Sequence, residues 1–410
     1  MNILYIDHYA GSPQMGMEFR PYYLSKEWIK QGHKVFVIAG DYSHLRTKNP
    51  KVKKDFQVNN IDGIKYVWIK TGRYEGNGVA RALSMERFVR KLLRYAKIVA
   101  DKVRPDVVIS SSTYPLDTYP AQRIAHQANC KYIHEVHDMW PSTLYEVGGM
   151  SRLHPFVIVM QLAENSAYKH CDKCVSLLPY SKEYMINHGL GADKFVNIQN
   201  GVAPEEWENP EHLPKEHIEF FDNKRGKFIV GYFGGHAISN ALDWMLDVAK
   251  EMQKKQDICF VLVGKGVEKE RLMKRKIDEN INNVYFLDSV SKNAVPELLK
   301  HFDCSYMTGM PSPLERFGMS LNKMYDSMMA GMPIICAFDA PSTLVREYEC
   351  GYQCNPANME EVIEAIENIY SMDKIERDYM GNRGKQAILE NYTYSRLAIR
   401  FMEIFQEGSK

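Results

Sequence analysis

Short runs of β-branched and apolar residues alternate with longer amphipathic segments from one end of this 410-residue chain to the other. The first series of runs covers residues 2–7, 34–39, 64–69, 106–110, 131–135, 174–178 and 195–198. Segments with apolar residues at helical spacing separate them, notably 20–31 and 82–102. The rhythm restarts at 228–233 and continues through 258–264, 284–287, 304–307 and 333–337. Strand, helix, strand at this spacing predicts parallel sheets covered on both faces by helices. Two such series predict an α/β chain of two doubly wound domains. The break is the polar, Glu/Pro/Asn/Lys-rich stretch 203–227, read as a linker, with Asn200-Gly201 as a turn before it. The expected domains are 1–203 and 204–393.

Open parallel sheets bind ligands beyond the carboxyl ends of their strands. With two such domains, the expected place for a site is the cleft between them. The net charge of +1 gives no bulk electrostatic case for nucleic acid as a partner. Eight scattered cysteines are too few for a disulfide framework in a chain of this length. Cys171-x-x-Cys174 and Cys350-x3-Cys354 could each supply half a zinc site, but reduced core thiols are the simpler reading, so no metal is expected. The sequence opens directly on a strand, without a basic and apolar leader, and no apolar run reaches the ~20 residues of a spanning helix. A cytoplasmic protein is expected.

The richest segment is 311–333. Leu321, Met324, Tyr325, Met328 and Met329 fall on one helical face, with Ser320 as the expected N-cap and Gly331 as the C-terminal stop. Asn322 and Asp326 lie off that face, four residues apart. A glycine-containing loop feeding a helix N-terminus suits a phosphate or diphosphate, and Asp326 one turn further in suits two sugar hydroxyls. The plainer alternative is a capped core helix with a solvated Asn/Asp edge. The run 229–236 ends in Gly234-Gly235-His236, which fits either close approach of backbone to a ligand or a tight turn. The strand 258–264 ends similarly, with Lys265 at its tip.

In the first domain the loop 11–20, containing Gly16 and Arg20, joins the first strand to the first helix and is expected to face a ligand. Tyr114, just beyond the strand 106–110, is a further candidate on that side. His137 and Asp138 follow the strand 131–135; a His beside an Asp can move a proton or bind an oxyanion, or merely hydrogen-bond its loop. Asp-x-Asp, a common way of holding a nucleotide diphosphate through a metal, is absent, as are a Walker loop, GxSxG and HExxH.

Taken together these segments resemble the glycosyltransferases of family 4, on the GT-B fold. The likeness spans nearly the whole chain: the glycine loop after the first strand, His-Asp-x-Trp-Pro at 137–141, Asn-Gly-Val at 200–202, the stretch 286–303, and the helix running into Ala-Gly-Met-Pro at 330–333. The family's helix carries two glutamates eight apart. Here the second position is Asp326 and the first is Gly318, with Glu315 the candidate substitute; the pattern resembles a Ser-x-Asn-Lys-x-x-Asp variant from bacterial surface-polysaccharide clusters. The family's Arg/Lys pair after the Gly-Gly turn is missing, so Lys265, Arg316 or Lys323 must meet the diphosphate charge.

The resemblance implies retaining transfer from a nucleotide sugar, UDP-linked and N-acetylated or deoxy, to a glycan or polyprenyl-diphosphate-linked acceptor. It implies no cofactor and no metal. Donor contacts are expected from Gly234, Gly235, His236, Lys265, Glu315, Arg316, Gly318, Met319, Ser320, Leu321, Asn322, Lys323 and Asp326. The catalytic candidates are His137 and Asp138, and the acceptor side is Gly16, Arg20 and Tyr114. The final segment 394–410 is expected to pack back on the first domain. The basic stretch 81–104, with Leu83, Phe88, Leu92, Leu93 and Val99 interleaved, reads either as a peripheral membrane contact or as a surface helix with a solvated basic face. An epimerase on the same fold and an inactive nucleotide-sugar-binding partner are the rival functions.

Overall fold

The computed structural model describes residues 1–16 and 20–407. The chain divides into two compact units, Met1–Gln199 with Tyr394–Lys410, and Asn200–Thr393. Unit 1 holds an eight-stranded sheet of β1 (Asn2–Ile6), β2 (Lys34–Gly40), β3 (Gln57–Ile61), β4 (Ile64–Ile69), β5 (Val107–Ser110), β6 (Lys131–Val136), β7 (Lys173–Ser176) and β8 (Phe195–Asn197). Their order is β3-β4-β2-β1-β5-β6-β7-β8. All neighbours are parallel except β3 and β4. Unit 2 holds β9 (Phe228–Gly235), β10 (Ile258–Lys265), β11 (Val284–Leu287), β12 (Cys304–Thr308), β13 (Ile334–Ala337) and β14 (Gly351–Cys354). These are ordered β11-β10-β9-β12-β13-β14 and are parallel throughout. Both units are doubly wound α/β folds.

The strands form because their residues are apolar on both faces. β5 and β13 are buried along their whole length. Such runs are stable only where helices cover both sides of the sheet. Among the parallel strands of each sheet the order reverses once, between β1 and β5 in unit 1 and between β9 and β12 in unit 2. The loops leaving those strands splay apart and open a crevice, the usual ligand position.

Two strands escaped the sequence reading. β3 is polar and largely exposed, so it carries no core signal. Its turn was nonetheless written in the chain: Asp62 and Gly63 both have positive φ (51° and 88°), and Ile61 pairs with Ile64, a two-residue hairpin. β14 is a four-residue edge strand with only Cys354 buried. The stretch 203–227 is not a linker. It contains the short helices Glu205–Glu208 and Lys215–Asp222, it buries Leu213 and Phe221 in unit 2, and His217 bonds the Asp288 carbonyl at 2.9 Å. The unit boundary falls at 199/200 rather than 203/204.

The helix Tyr394–Gln406 joins unit 1. Phe401 and Phe405 pack on Trp28 with ring centroids 5.6 and 5.5 Å away, and the Trp28 indole N–H donates to the Ala398 carbonyl at 3.3 Å. The basic helix Val79–Val103 turns its apolar side inward, burying Phe88, Leu92 and Val99. The face it presents to solvent is mainly charged, with Leu83 and Ile98 exposed among the cations. Part of its charge is neutralised locally, Arg90 by Glu86, Lys97 by Asp101 and Lys91 by Asp55. No helix among the described residues is long and apolar enough to cross a membrane. All eight cysteines are free and seven are buried.

Phe401→Ala is expected to destabilise unit 1 by about 3–5 kcal/mol, the usual cost of truncating a buried Phe. A two-transition urea melt, with only the unit 1 transition moved, is the measurement that checks it.

Candidate functional site

In unit 2 three strand ends and one helix start meet. β9 ends in Gly234-Gly235, and the Gly235 carbonyl accepts from the Tyr232 hydroxyl at 2.7 Å and from the Asn240 amide at 2.8 Å. The neighbouring β10 ends opposite it, with Lys265 in register with Gly235. The two strand ends come so close that a Cβ on Gly264 would lie 1.9 Å from the Gly234 carbonyl oxygen, so the glycine is required there. His236 follows, its amide bonded to the Lys265 carbonyl at 2.8 Å and its ring buried without a partner for either nitrogen among the described residues. Burial, reinforced by Lys269 and Lys323, pushes its pKa down to about 4, so the ring is neutral at physiological pH.

After β12 comes the turn Pro313–Phe317. It is held by a reciprocal cap in which the Ser312 hydroxyl accepts from the Leu314 amide and Glu315 Oε1 accepts from the Ser312 amide, both at 3.2 Å. Glu315 is therefore buried as a cap, and burial pushes its carboxyl up. Arg316 folds onto its own turn, bonding the Pro313 carbonyl and stacking over Phe317 at 4.2 Å. Gly318 closes the turn at φ 81°, a region an L side chain avoids.

The next residues enter the helix Asn322–Ala330, which ends as expected at Gly331 with φ 73°. Its cap is not as expected. Leu321 occupies the N-cap position without a side-chain bond. The Ser320 hydroxyl instead takes the Asn200 amide at 2.9 Å and meets the Tyr325 hydroxyl at 2.9 Å, while the Asn200 side chain bonds the Ser320 carbonyl at 2.8 Å. Met319 is buried, and Asn322 is exposed at the first turn. The first amides of the helix thus lack a capping side chain, and they carry the positive end of its dipole.

Lys323 brings the charge. Its ammonium bonds Asn240 Oδ1 at 3.1 Å and the Tyr232 hydroxyl at 3.4 Å, and lies over the Tyr232 ring at 4.7 Å. It stands 3.9 Å from where a Cβ of Gly234 would be. Burial pushes its pKa down to about 8. Of the three cations weighed from sequence, this is the one the fold sets against the Gly-Gly turn; Lys265 stays exposed at the strand tip. Asp326 is not on a solvated edge. It is buried, and both its oxygens lie 2.6 Å from Lys292.

In unit 1 the corresponding loops surround a buried carboxylate. Glu135, at the end of β6, is fully buried and pairs with Arg20 at 3.0 Å. It also accepts from the Tyr5 and Ser111 hydroxyls. His137 Nε2 lies 2.7 Å from Ser111 Oγ and 3.3 Å from Glu135. Since Ser111 gives its only proton to Glu135, the Nε2 of His137 must carry one toward Ser111. Burial alone would raise the Glu135 pKa, but the Arg20 charge and the bonds from His137 and Ser111 outweigh it and hold the carboxyl well below its usual range. Asp138 is exposed on the following loop.

Two acceptor-side expectations are corrected here. Arg20 does not face a ligand, because its remaining nitrogens bond the carbonyls of Gln199 at 2.6 Å and Ile198 at 2.8 Å inside unit 1. Tyr114 is also wholly buried, its hydroxyl 2.7 Å from His8 Nδ1. Gly16 sits in its loop at φ 90°, bridged to Arg46; Met17, Glu18 and Phe19 of the same loop lie outside the described residues. Sequence reasoning missed Ser111, Glu135, Asn200, Tyr232, Asn240 and Lys292. Only Asn200 had a signal, in its Asn-Gly-Val motif. Among the described residues, no group of three His, Cys, Asp or Glu side chains is gathered as a metal site would need.

Two family models match the chain. The model described as Glycosyltransferase Family 4 matches residues 15–206, and that described as Glycosyl transferases group 1 matches residues 215–387. No curated protein matches the sequence. Solved structures align over nearly the full length. Sucrose-phosphate synthase from Thermosynechococcus elongatus gives a TM-score of 0.75 at 13% identity, covering 99% of both chains. Anabaena HepE in complex with UDP and glucose gives 0.66 at 15%, covering 99% of this chain and all of that one. An E. coli trehalose-6-phosphate structure bound with UDP-2-fluoro glucose gives 0.71 at 11%, covering 99% of both. At these identities the likeness is one of fold.

Glu135→Gln is expected to cost about 3–5 kcal/mol, because it leaves the Arg20 charge buried and unpaired. The sign with pH follows from the depressed carboxyl. The stabilisation is complete above the unfolded value of ~4.3 and is lost as pH falls below it. Urea midpoints between pH ~7 and pH ~3 should fall more steeply for the wild type than for the variant.

Proposed function

We propose that this GT-B glycosyltransferase takes a UDP-linked sugar on unit 2 and transfers it, with retention at the anomeric carbon, to a glycan or polyprenyl-diphosphate-linked acceptor bound by unit 1, in the building of a bacterial surface polysaccharide. The observation that carries the reading is the Lys323 ammonium held against the Gly234-Gly235 turn at the uncapped start of the helix Asn322–Ala330. A cation, a glycine backbone and open helix amides together make an anion site. Breaking a bond to a nucleoside diphosphate moves negative charge onto the β-phosphate, and fixed donors aimed there stabilise the transition state more than the ground state. HepE and the trehalose-6-phosphate structure, both with UDP or a UDP sugar bound, favour UDP as the base-bearing group.

Asp326 is assigned the ribose hydroxyls, one helical turn beyond the diphosphate. Lys292, which holds it now, must then share that carboxylate with the sugar. His137 and Asp138 are assigned to the side of the transferred sugar, His137 offering its Nδ1 as an acceptor from a ring whose protonated Nε2 end is anchored by Ser111 and Glu135. We assign the diphosphate charge to Lys323 and the helix start, with no metal and no cofactor.

A thermal-shift screen with UDP, GDP, ADP, TDP and CMP, each with and without EDTA, tests the donor site. At a hundred times its dissociation constant a ligand adds about 2.7 kcal/mol to stability. UDP is expected to raise Tm regardless of EDTA, and Lys323→Ala should weaken binding by about 1.5–3 kcal/mol, the worth of a charged hydrogen bond. No shift with any nucleotide, or one abolished by EDTA, would overturn the assignment. Product analysis with a UDP sugar and a lipid-linked acceptor then distinguishes transfer from epimerisation.

The pH dependence has a definite sign. Lys323 loses its charge as pH rises through about 8, so UDP affinity should fall between pH ~7 and ~9. Isothermal titration should show that decline in the wild type and little of it in Lys323→Ala.

A further inference from the structure

The helix Pro155–His170 of unit 1 has two apolar sides. Its inner side buries Val157, Met160, Ala163, Ala167 and Tyr168. Its outer side presents Ile158, Val159 and Leu162 to solvent, and Leu153 of the preceding turn is 82% exposed. A surface helix ordinarily carries charge on that side, as Val79–Val103 does here with Arg87, Arg90, Arg94 and Lys97. Four branched apolar side chains within ten residues of one another form a contiguous ledge of the kind that marks an interaction surface.

The charge around the ledge says what covers it. Arg152 precedes it and Lys169 follows it on the same helix, both exposed. The adjoining helix Thr118–Ala128, tied to it by Gln122 bonding Ser166 at 3.2 Å, adds exposed Arg123. Residues 118–128 contain no acid, and the single acid of residues 147–170, Glu164, is buried and bonded by Tyr168, Gln161 and Tyr184. The surface is therefore apolar at its centre and positive at its edge, with no exposed carboxylate on these two segments. A nucleic acid would leave the apolar residues against water. A symmetric pairing of two copies would set the same cations face to face. An anionic lipid surface satisfies both parts, since its acyl boundary takes up the branched side chains and its headgroups the cations.

We propose that the outer side of the helix Pro155–His170, with Leu153 and the cations Arg152, Lys169 and Arg123, seats unit 1 on an anionic bilayer surface. The inference is independent of the donor chemistry, and it assigns the lipid-facing role to a helix other than 81–104, where Phe88, Leu92 and Val99 point inward and Leu83 and Ile98 stay exposed.

The test is flotation of the full chain with vesicles. The probes are equal parts phosphatidylglycerol and phosphatidylcholine, against phosphatidylcholine alone, with oligomeric state followed by light scattering. The chain is expected to float with the anionic vesicles and not with the neutral ones. Ile158→Glu with Leu162→Glu should abolish flotation while leaving the urea melt unchanged. Lys169→Gln, which disturbs no packing, should reduce partitioning about fivefold, with a similar loss on raising salt. The proposal is overturned if the chain ignores anionic vesicles, if it floats equally with neutral ones, if the substitutions leave flotation intact, or if the wild type is a dimer that Ile158→Glu and Leu162→Glu convert to monomer.

Discussion

A parallel strand pair cannot be closed by a hairpin, and that constraint governs both units. Every pair but β3–β4 is parallel, so each strand is followed by a crossover that returns over one face of the sheet. The carboxyl ends of all parallel strands then point to one edge, and every loop that leaves them is gathered there. Residues as remote in sequence as Gly234, Lys265 and Lys323 become neighbours because β9, β10 and β12 are adjacent and the helix Asn322–Ala330 starts where the β12 loop ends. Ser111 and His137 meet for the same reason, at the ends of the adjacent strands β5 and β6. The chemistry is local in space only because the topology is parallel.

The two units treat buried charge in opposite ways. In unit 1 the Arg20–Glu135 pair is satisfied on every side, with two carbonyls on the guanidinium and two hydroxyls and a histidine around the carboxylate. A buried pair gains little net stability over an apolar core but is costly to break, so its effect is to fix geometry. What it fixes is the strand end that carries His137. In unit 2 the Lys323 ammonium has as its partners, among the described residues, the Asn240 amide oxygen and the hydroxyl and ring of Tyr232. Its pKa falls because no carboxylate repays the lost hydration.

Much of this was legible in the chain because burial leaves a periodic trace. Of the fourteen strands, the twelve that alternate with amphipathic segments were read within a residue or two, since a run such as Ile-Cys-Phe-Val-Leu-Val at 258–263 has no stable place outside a doubly covered sheet. β3 and β14 left no such trace, because one is solvated and the other is short. The stretch 203–227 misled through its composition; Leu213 and Phe221 anchor it, with Trp207 and Phe220 packed beside them, and a few scattered apolar residues in a polar run are invisible without the surface they meet. Arg20 and Tyr114 misled in the other direction. Position in a ligand-facing loop says nothing about which way a side chain turns, and both turned into the core, where Glu135 and His8 waited from distant parts of the sequence. Pairings such as Lys292 with Asp326 were beyond reach for the same reason.

The proposed donor site, without the cation pair that the family resemblance led one to expect after the Gly-Gly turn, follows from the same physics. What a leaving diphosphate requires is positive charge at one place, and the loop that supplies it is immaterial. On the proposed reading the turn after β9 carries His236, neutral and buried, and the charge is assigned instead to Lys323 in the first turn of the helix Asn322–Ala330. A lysine rooted in a helix, with its stem packed and its head over Tyr232, has less freedom to lose than one in a loop. It is also poorly solvated while the site is empty. An ammonium that has given up water without gaining a counter-charge has the most to gain when an anion arrives, so its cost before binding becomes preference for the charged ligand over a neutral one.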